Sequence, residues 1–312
     1  MNLANELQRY LRIRRSLGYK LYTEERILKR FIFFMEQNNE THINADIFLK
    51  WKQEFGKASK MTWARRLGVI RVFASWLCSL DPLHEIPSQS LIPFCNNRMP
   101  PYIYSDSEIK RIIKTAGLLR SPNDIRGITY PAFFGLISVT GLRISEAISL
   151  NTQDVNLREG IITVYKGKND NNRKLPISES TNNYLKEYAR IRDRFLGQTS
   201  EPFFLSDNGI RLTDCAVRYN FAVVSQMIGL RPERNDNKHG VGPRIHDLRH
   251  TFAVKVMVNW YKEGKNIDQE MIKLVTYLGH TKPANTYWYI EAVPELLALA
   301  SQRVENYMEG AL

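Results

Sequence analysis

Through the first 80 positions apolar residues recur at three- and four-residue steps, the period of helices with one buried face. Thr23 is placed to cap a helix whose Ile27, Leu28, Phe31, Phe34 and Met35 share a face. Asn44 is placed to cap another that carries Ile47, Phe48, Trp51 and Phe55. From Lys60 to Leu80 a third stripe runs through Leu67, Ile70, Ala74 and Leu77. Arg65, Arg66 and Arg71 lie off that stripe, open to phosphate or to solvent. The periodicity then stops. Asp81-Pro82, Ile86-Pro87, Ile92-Pro93 and Met99-Pro100-Pro101 each break helical pattern, and a linker is expected, assigned to 89–104. Ser105-Asp106-Ser107-Glu108 has the form of a capping box and starts a new helix.

Beyond it, Ala132–Val139 reads as an apolar helix. Ile161–Tyr165 is β-branched and aromatic, Asn169–Asn172 is a turn, and Lys174–Ile177 is the returning strand. Helices are expected at about 178–194, 211–228, 246–262, 267–278 and 293–308. The pattern as a whole predicts a mainly α chain with a small β-sheet, an α+β class. It has a helical unit over 1–88 and a second unit over 105–312. No internal repeat or low-complexity tract interrupts it.

Composition narrows the function. The chain has 312 residues, 43% hydrophobic and 11% aromatic, enough for two packed cores and incompatible with a disordered chain. The net charge of +12 favours a polyanionic partner, nucleic acid before membrane. Residues 1–88 alone carry fifteen Lys/Arg against nine Asp/Glu, so the first unit is basic in its own right. Cys78, Cys95 and Cys215 are odd in number, widely spaced and without a Cys-x-x-Cys. A disulfide framework or zinc knuckle is not expected, and a reducing cytoplasm is. The first residues are amphipathic and charged, unlike a signal peptide, and no apolar run approaches the length of a membrane span.

Four short segments carry candidate chemistry. Thr140-Gly141-Leu142-Arg143-Ile144-Ser145-Glu146 follows an apolar helix. The glycine permits a tight break, and Arg143 is left at the start of the next helix with Glu146 able to orient it. His246-Asp247-Leu248-Arg249-His250 opens a helix, with His246 and Arg249 three apart on one face. His246 and His250 have the spacing of a zinc pair, but Asp247 stands where a metalloprotease needs Glu, so no metal is expected. Leu278-Gly279-His280 ends a helix. Thr286-Tyr287-Trp288-Tyr289 offers two phenols. Singly, each is equally a surface, helix-end or packing residue. Together, two arginine forks, histidines and a tyrosine suffice for metal-free attack on a phosphodiester. Phenolate at pH 7 costs about 4 kcal/mol, so the tyrosine needs cations and a proton acceptor beside it.

The order Gly-Leu-Arg, hairpin lysine, His-x-Leu-Arg-His, Leu-Gly-His, Tyr resembles the tyrosine recombinase (phage integrase) family, across the whole second unit. The first unit, including Arg15-Ser-Leu-Gly-Tyr19, is similar to that family's helical core-binding domain. The stretch from Tyr287-Trp288-Tyr289-Ile290 to Leu296 resembles recombinases carried on transposons more than chromosome-dimer resolvases, within a family resemblance that takes in transposon-type and Xer-like members. The resemblance implies Arg143 and Arg249 as a phosphate clamp and His246 in the general-base region. It implies His280 as a second phosphate or proton-handling group and Tyr289, nine positions after His280, as the nucleophile. For the lysine it implies Lys168, with Lys166 on the same side of the strand and not separated from it by alternation.

The implied reaction forms a 3′-phosphotyrosine, releases a 5′-hydroxyl that lysine protonates, and uses neither ATP, metal nor other cofactor. Each clamp contact is worth about 3 kcal/mol in such transition states. The implied partners are double-stranded DNA at specific sites and three further copies in a tetramer. Accessory recombinases or DNA-bending proteins also fit, as does a place at the bacterial nucleoid. A DNA-binding regulator would lack part of the Arg/His/Tyr set. A type IB topoisomerase would relax supercoils as a monomer. A metal-dependent nuclease would need a carboxylate cluster that the sequence does not show.

Overall fold

Helix α1 (Leu3–Ser16) starts on Asn2, whose side-chain oxygen accepts the Asn5 N–H. A computed structural model describes residues 2–93, 99–165, 172–232 and 242–309. The chain divides into two units, Met1–Met99 and Pro100–Leu312.

In the first unit, α2 (Tyr22–Gln37) follows Leu21, which takes a left-handed conformation at φ 51° and offers no side-chain cap. Thr23 therefore lies within the first turn and is not the cap expected of it. The acidic residues of that turn suit the positive helix end, and Glu25 holds Arg15 and Lys29. Asn44 does cap α3 (Ala45–Glu54), accepting the Ile47 N–H at 2.8 Å, and Ser59 caps α4 (Lys60–Cys78). The core is aromatic: Trp51 meets Phe31 and, edge-on, Trp63, both with centroids 5.1 Å apart. Ile92, after a short 3-10 turn at Gln89–Leu91, is buried in the same core.

His42, Asp81 and His84 pin the α2–α3 loop to the segment after α4. His42 Nε2 lies 3.2 Å from Asp81 Oδ2, and Ile43 N–H donates to His84 Nδ1 at 3.0 Å. Their donor atoms lie within 4.8 Å of one another. The bond from Ile43 fixes the His84 proton on Nε2, which removes the lone pair a metal would need there, so the trio reads as a structural node.

The second unit opens with α5 (Asp106–Ala116), where Ser105 and Glu108 form both halves of a capping box. The apolar α6 (Arg126–Thr140) buries Tyr130, Phe133, Phe134, Leu136 and Ile137, and α7 (Ile144–Ser149) follows after a three-residue turn. Strands β1 (Val155–Asn156), β2 (Ile161–Val164) and β3 (Arg173–Pro176) form an antiparallel sheet in that order. Ile161 stands opposite Pro176 and Val164 opposite Arg173.

Then come α8 (Glu179–Leu196), α9 (Asp214–Met227), α10 (His246–Lys262), α11 (Ile267–Leu278), α12 (Ala284–Ala292) and α13 (Pro294–Glu309). Helix α9 begins after its cap Thr213, later than the expected 211, because the Arg211 backbone is taken up in an antiparallel bridge with Leu205. One core surrounds α5, α6, α9 and the sheet, and a second joins α10–α13 through Met257, Met271, Leu274, Leu278 and Leu296. The architecture is mainly helical with one small sheet, as the periodicity predicts. Among the described residues Cys78 and Cys215 are free thiols, and Cys95 lies outside them. No described helix is long and apolar enough to cross a membrane.

Candidate active site

The site begins where α6 stops. Gly141 takes φ 62°, and a Cβ there would sit 2.6 Å from Phe252 Cδ1 and 3.1 Å from Leu278 Cδ2. A side chain would therefore be strained by its backbone and wedged against both α10 and α11. The turn delivers Arg143 to the N-cap of α7. There its backbone N–H and Nη1 donate to the two oxygens of Glu146, at 2.9 and 2.7 Å.

Three guanidinium groups then converge on the C-terminal end of α11. Arg173 Nε donates to Tyr277 O at 2.8 Å, Arg249 Nη2 to Leu278 O at 2.7 Å, and Arg143 Nη2 to Gly279 O at 2.9 Å. A helix C-terminus has unpaired carbonyls and partial negative charge, so three successive carbonyls make a natural seat for cations. Gly279, in the left-handed conformation at φ 64°, ends the helix there. Arg249 also donates to Gly141 O at 2.6 Å.

Glu146 is the counter-charge. Beyond Arg143 it accepts both Nη groups of Arg173, at 3.1 and 2.8 Å, and lies 4.0 Å from Arg249. Burial alone would raise its pKa. The bonds from Arg173 and the Arg143 backbone outweigh that and hold it down to about 2. Burial, with Arg143 beside it, brings Arg249 down to about 10, still a cation at neutral pH.

The histidines lie around this platform. His246, first residue of α10, is pushed down to about 4 by burial and by the Arg249 charge, so it is a neutral imidazole at pH 7. One turn on, the His250 ring centroid is 4.6 Å from that of His246. His250 Nδ1 is 2.5 Å from Tyr289 Oη. Tyr289, on α12, is 1% exposed. His280 follows directly on the α11 platform, its Nδ1 2.7 Å from Thr286 Oγ1.

Residues 104–295 match the model of the phage integrase family. The chain is 37% identical to the integrase/recombinase y4rB of Sinorhizobium fredii, over 97% of both proteins. It belongs to the tyrosine recombinases of the phage integrase family, site-specific recombinases of DNA. The recombinase is also 28% identical to the tyrosine recombinase XerD of Oceanobacillus iheyensis, over 90% of each chain. Its fold is that of the Tn1549 transposon integrase solved with transposon right-end DNA. That likeness has a TM-score of 0.66 and 15% identity over 98% of this chain and all of that one.

In this recombinase the fold gathers Arg143, Arg249, His246, His280 and Tyr289 into the α10–α12 region around the end of α11. Lys168 and Lys166 lie outside the described residues, as does most of the hairpin turn. The two tyrosines differ sharply. Tyr287 is 39% exposed and directs its hydroxyl toward Asp268, 3.4 Å away, whereas Tyr289 faces His250. Two members of the site are absent from the sequence expectation. In the sequence His250 is half of a zinc spacing and the last residue of the His-x-Leu-Arg-His motif, with no role of its own, although its four-residue step from His246 sets both on one helix face. Arg173 stands in no motif of the sequence. The strand period carried its signal, since Arg173 shares the inward face with buried Leu175.

Proposed function

We propose that this recombinase cuts and rejoins DNA through a covalent 3′-phosphotyrosyl bond on Tyr289, in the integration, excision or transposition of mobile DNA. The observation that carries this reading is the seating of Arg143 and Arg249 on adjacent carbonyls of one helix end, with His280 and the Tyr289 helix next in the chain. A shared seat gives two forks a fixed spacing, as bidentate holding of one phosphate requires.

In the proposed reaction Tyr289 Oη attacks the scissile phosphorus and the 5′-oxygen departs, taking a proton from the hairpin lysine, Lys168 or Lys166. The clamp formed by Arg143 and Arg249 stabilises the charge that builds on the non-bridging oxygens. His246, neutral at pH 7, can take up a proton, and His280 holds or protonates the phosphate from the other side. Attack by a 5′-hydroxyl of another strand reverses the chemistry, so the energy of the broken bond is retained without ATP. Because Tyr289 is covered in this conformation, attack requires α12 to move.

Exchange of two duplexes needs four cuts, hence a tetramer. The exposed Leu297, Val304 and Met308 of α13 suit a contact between subunits, while Leu296 stays in its own core. The basic first unit grips the duplex together with the second.

The test uses sheared DNA of the genome that encodes the chain, incubated with purified protein in EDTA and denatured, with protein-linked fragments captured and sequenced. One site class should be recovered with the wild type and with Tyr287→Phe. Tyr289→Phe should bind the recovered duplex with unchanged affinity and form no adduct. An adduct that survives Tyr289→Phe, or no adduct with the wild type, overturns the reading.

A further inference from the structure

The Arg143 fork is held at one end by a carboxylate that Arg173 also holds, and at the other by the helix end to which Arg173 is fastened two residues earlier. Glu146 accepts from Arg143 on both oxygens and from Arg173 on both oxygens, and the carbonyls of Tyr277 and Gly279 on α11 take one bond from each. The Arg173 side chain is 9% exposed and spends Nε, Nη1 and Nη2 on these acceptors. All three of its donor nitrogens thus point at protein acceptors, which marks it as the residue that holds Glu146 against the end of α11. It is also the first residue of β3, paired with Val164 across the hairpin from which Lys166 and Lys168 issue.

We infer that Arg173 is a positioning residue for strand cleavage. It fixes Glu146, which fixes the Arg143 fork, and it fastens the base of the lysine hairpin to the helix end that seats the clamp. The inference rests on the proposed role of Arg143 as a phosphate ligand. Three features favour it over a plain structural ion pair. The pairing is bidentate, which sets an angle as well as a distance. The carboxylate it grips is the one that orients Arg143. The third bond goes to the helix end that also seats Arg249. Without Arg173, Glu146 can rotate toward Arg249, now 4.0 Å away, and Arg143 loses its fixed direction.

The experiment measures single-turnover adduct formation on a nicked duplex that carries the recovered site. The scissile link is either the natural phosphate or a methylphosphonate, in which a methyl replaces one non-bridging oxygen and the charge is gone. A neutral link has no charge for Arg143 to clamp. Arg173→Ala should therefore slow cleavage of the phosphate on the order of tenfold or more, and of the methylphosphonate by no more than about twofold, with duplex affinity within about twofold of wild type. Arg143→Ala should show the same selectivity, and the double variant should be no slower on phosphate than Arg143→Ala alone. Arg173→Lys, which keeps the charge but not the fork, should fall between, again only on phosphate.

If Arg173→Ala does not fold, as judged by its thermal transition, Arg173→Lys and Glu146→Gln carry the test. Equal losses on both links, losses that add to that of Arg143→Ala, or wild-type rates overturn the role of Arg173. If Arg143→Ala itself cleaves the phosphate at the wild-type rate, the reading of the clamp fails first, and the two failures are distinct.

Discussion

In the first unit Arg66 lies over the Trp63 ring, 4.5 Å from its centroid, Arg71 donates to Pro87 O and Arg65 is exposed. In the second unit Arg143, Arg173 and Arg249 meet one carboxylate and three successive carbonyls, and the Arg249 side chain is 2% exposed. The first arrangement uses no carboxylate: an aromatic face carries Arg66, a backbone carbonyl Arg71 and water Arg65. The second cannot be built piecemeal, since each guanidinium withdrawn from water must find acceptors and the one carboxylate serves Arg143 and Arg173 together. The contrast shows how arginines of similar sequence appearance become either adjustable surface charge or a fixed clamp. Of the three first-unit arginines off the apolar stripe, Arg66 and Arg71 are engaged within their unit, and Arg65 keeps the exposure expected of all three.

The largest effect that would probe this contrast is removal of the shared carboxylate. Glu146→Ala leaves Arg173 and Arg249 buried beside one another, and a broken buried pair typically costs about 3–5 kcal/mol. Urea denaturation at pH 7 should show that loss in the second unit. A loss under about 1 kcal/mol, the value of an exposed pair, would mean that solvent reaches the network and that the two units do not differ in this way.

A smaller effect separates the groups by pH. The folded pKa of His246, about 4, lies below its ordinary 6.5, so its contribution is full above pH 6.5 and is lost as pH falls toward 4. Glu146 is depressed from 4.5 to about 2, so its contribution survives to pH 4.5 and is lost below it. Between pH 7 and pH 4.5 the wild type should lose about 2–3 kcal/mol through His246. His246→Gln should flatten that interval and leave the drop below pH 4.5 in place. If the variant keeps the slope between pH 7 and 4.5, another group is responsible and the His246 pocket is wetter than its burial indicates.

Much of this was legible in the sequence because it follows from short-range rules. Gly141 and Gly279 mark chain breaks by their residue type, Ser105 and Glu108 form a cap by their spacing, and the apolar steps outline most helices. Strand β1 has two residues, too few for a period to show. Thr23 failed as a cap because the chain enters α2 through a left-handed Leu21, a conformation that no local propensity favours. The tie from Arg173 to Glu146 spans 27 positions and that from His250 to Tyr289 spans 39. Such contacts are made by the packing of α10, α11 and the sheet, and the periodicity of any single element is silent about them.

The smallest effect lies in the first unit and separates charge that binds from charge that packs. Arg65 is exposed on α4, so Arg65→Ala should change stability by no more than about 0.5 kcal/mol. Arg66→Ala, which removes a cation from the ring of Trp63, should cost about 0.5–1 kcal/mol. On the recovered duplex the order should reverse. A solvated arginine that neutralises a phosphate releases a counterion, so Arg65→Ala should reduce the slope of log K against log salt by about 1. Arg66 is committed to an aromatic face and should leave the slope nearly unchanged. Binding measured from low to high salt decides it. If Arg65→Ala leaves the slope intact while Arg66→Ala lowers it, the aromatic-backed arginine meets the DNA backbone, and the first unit carries a preset contact much as the second does.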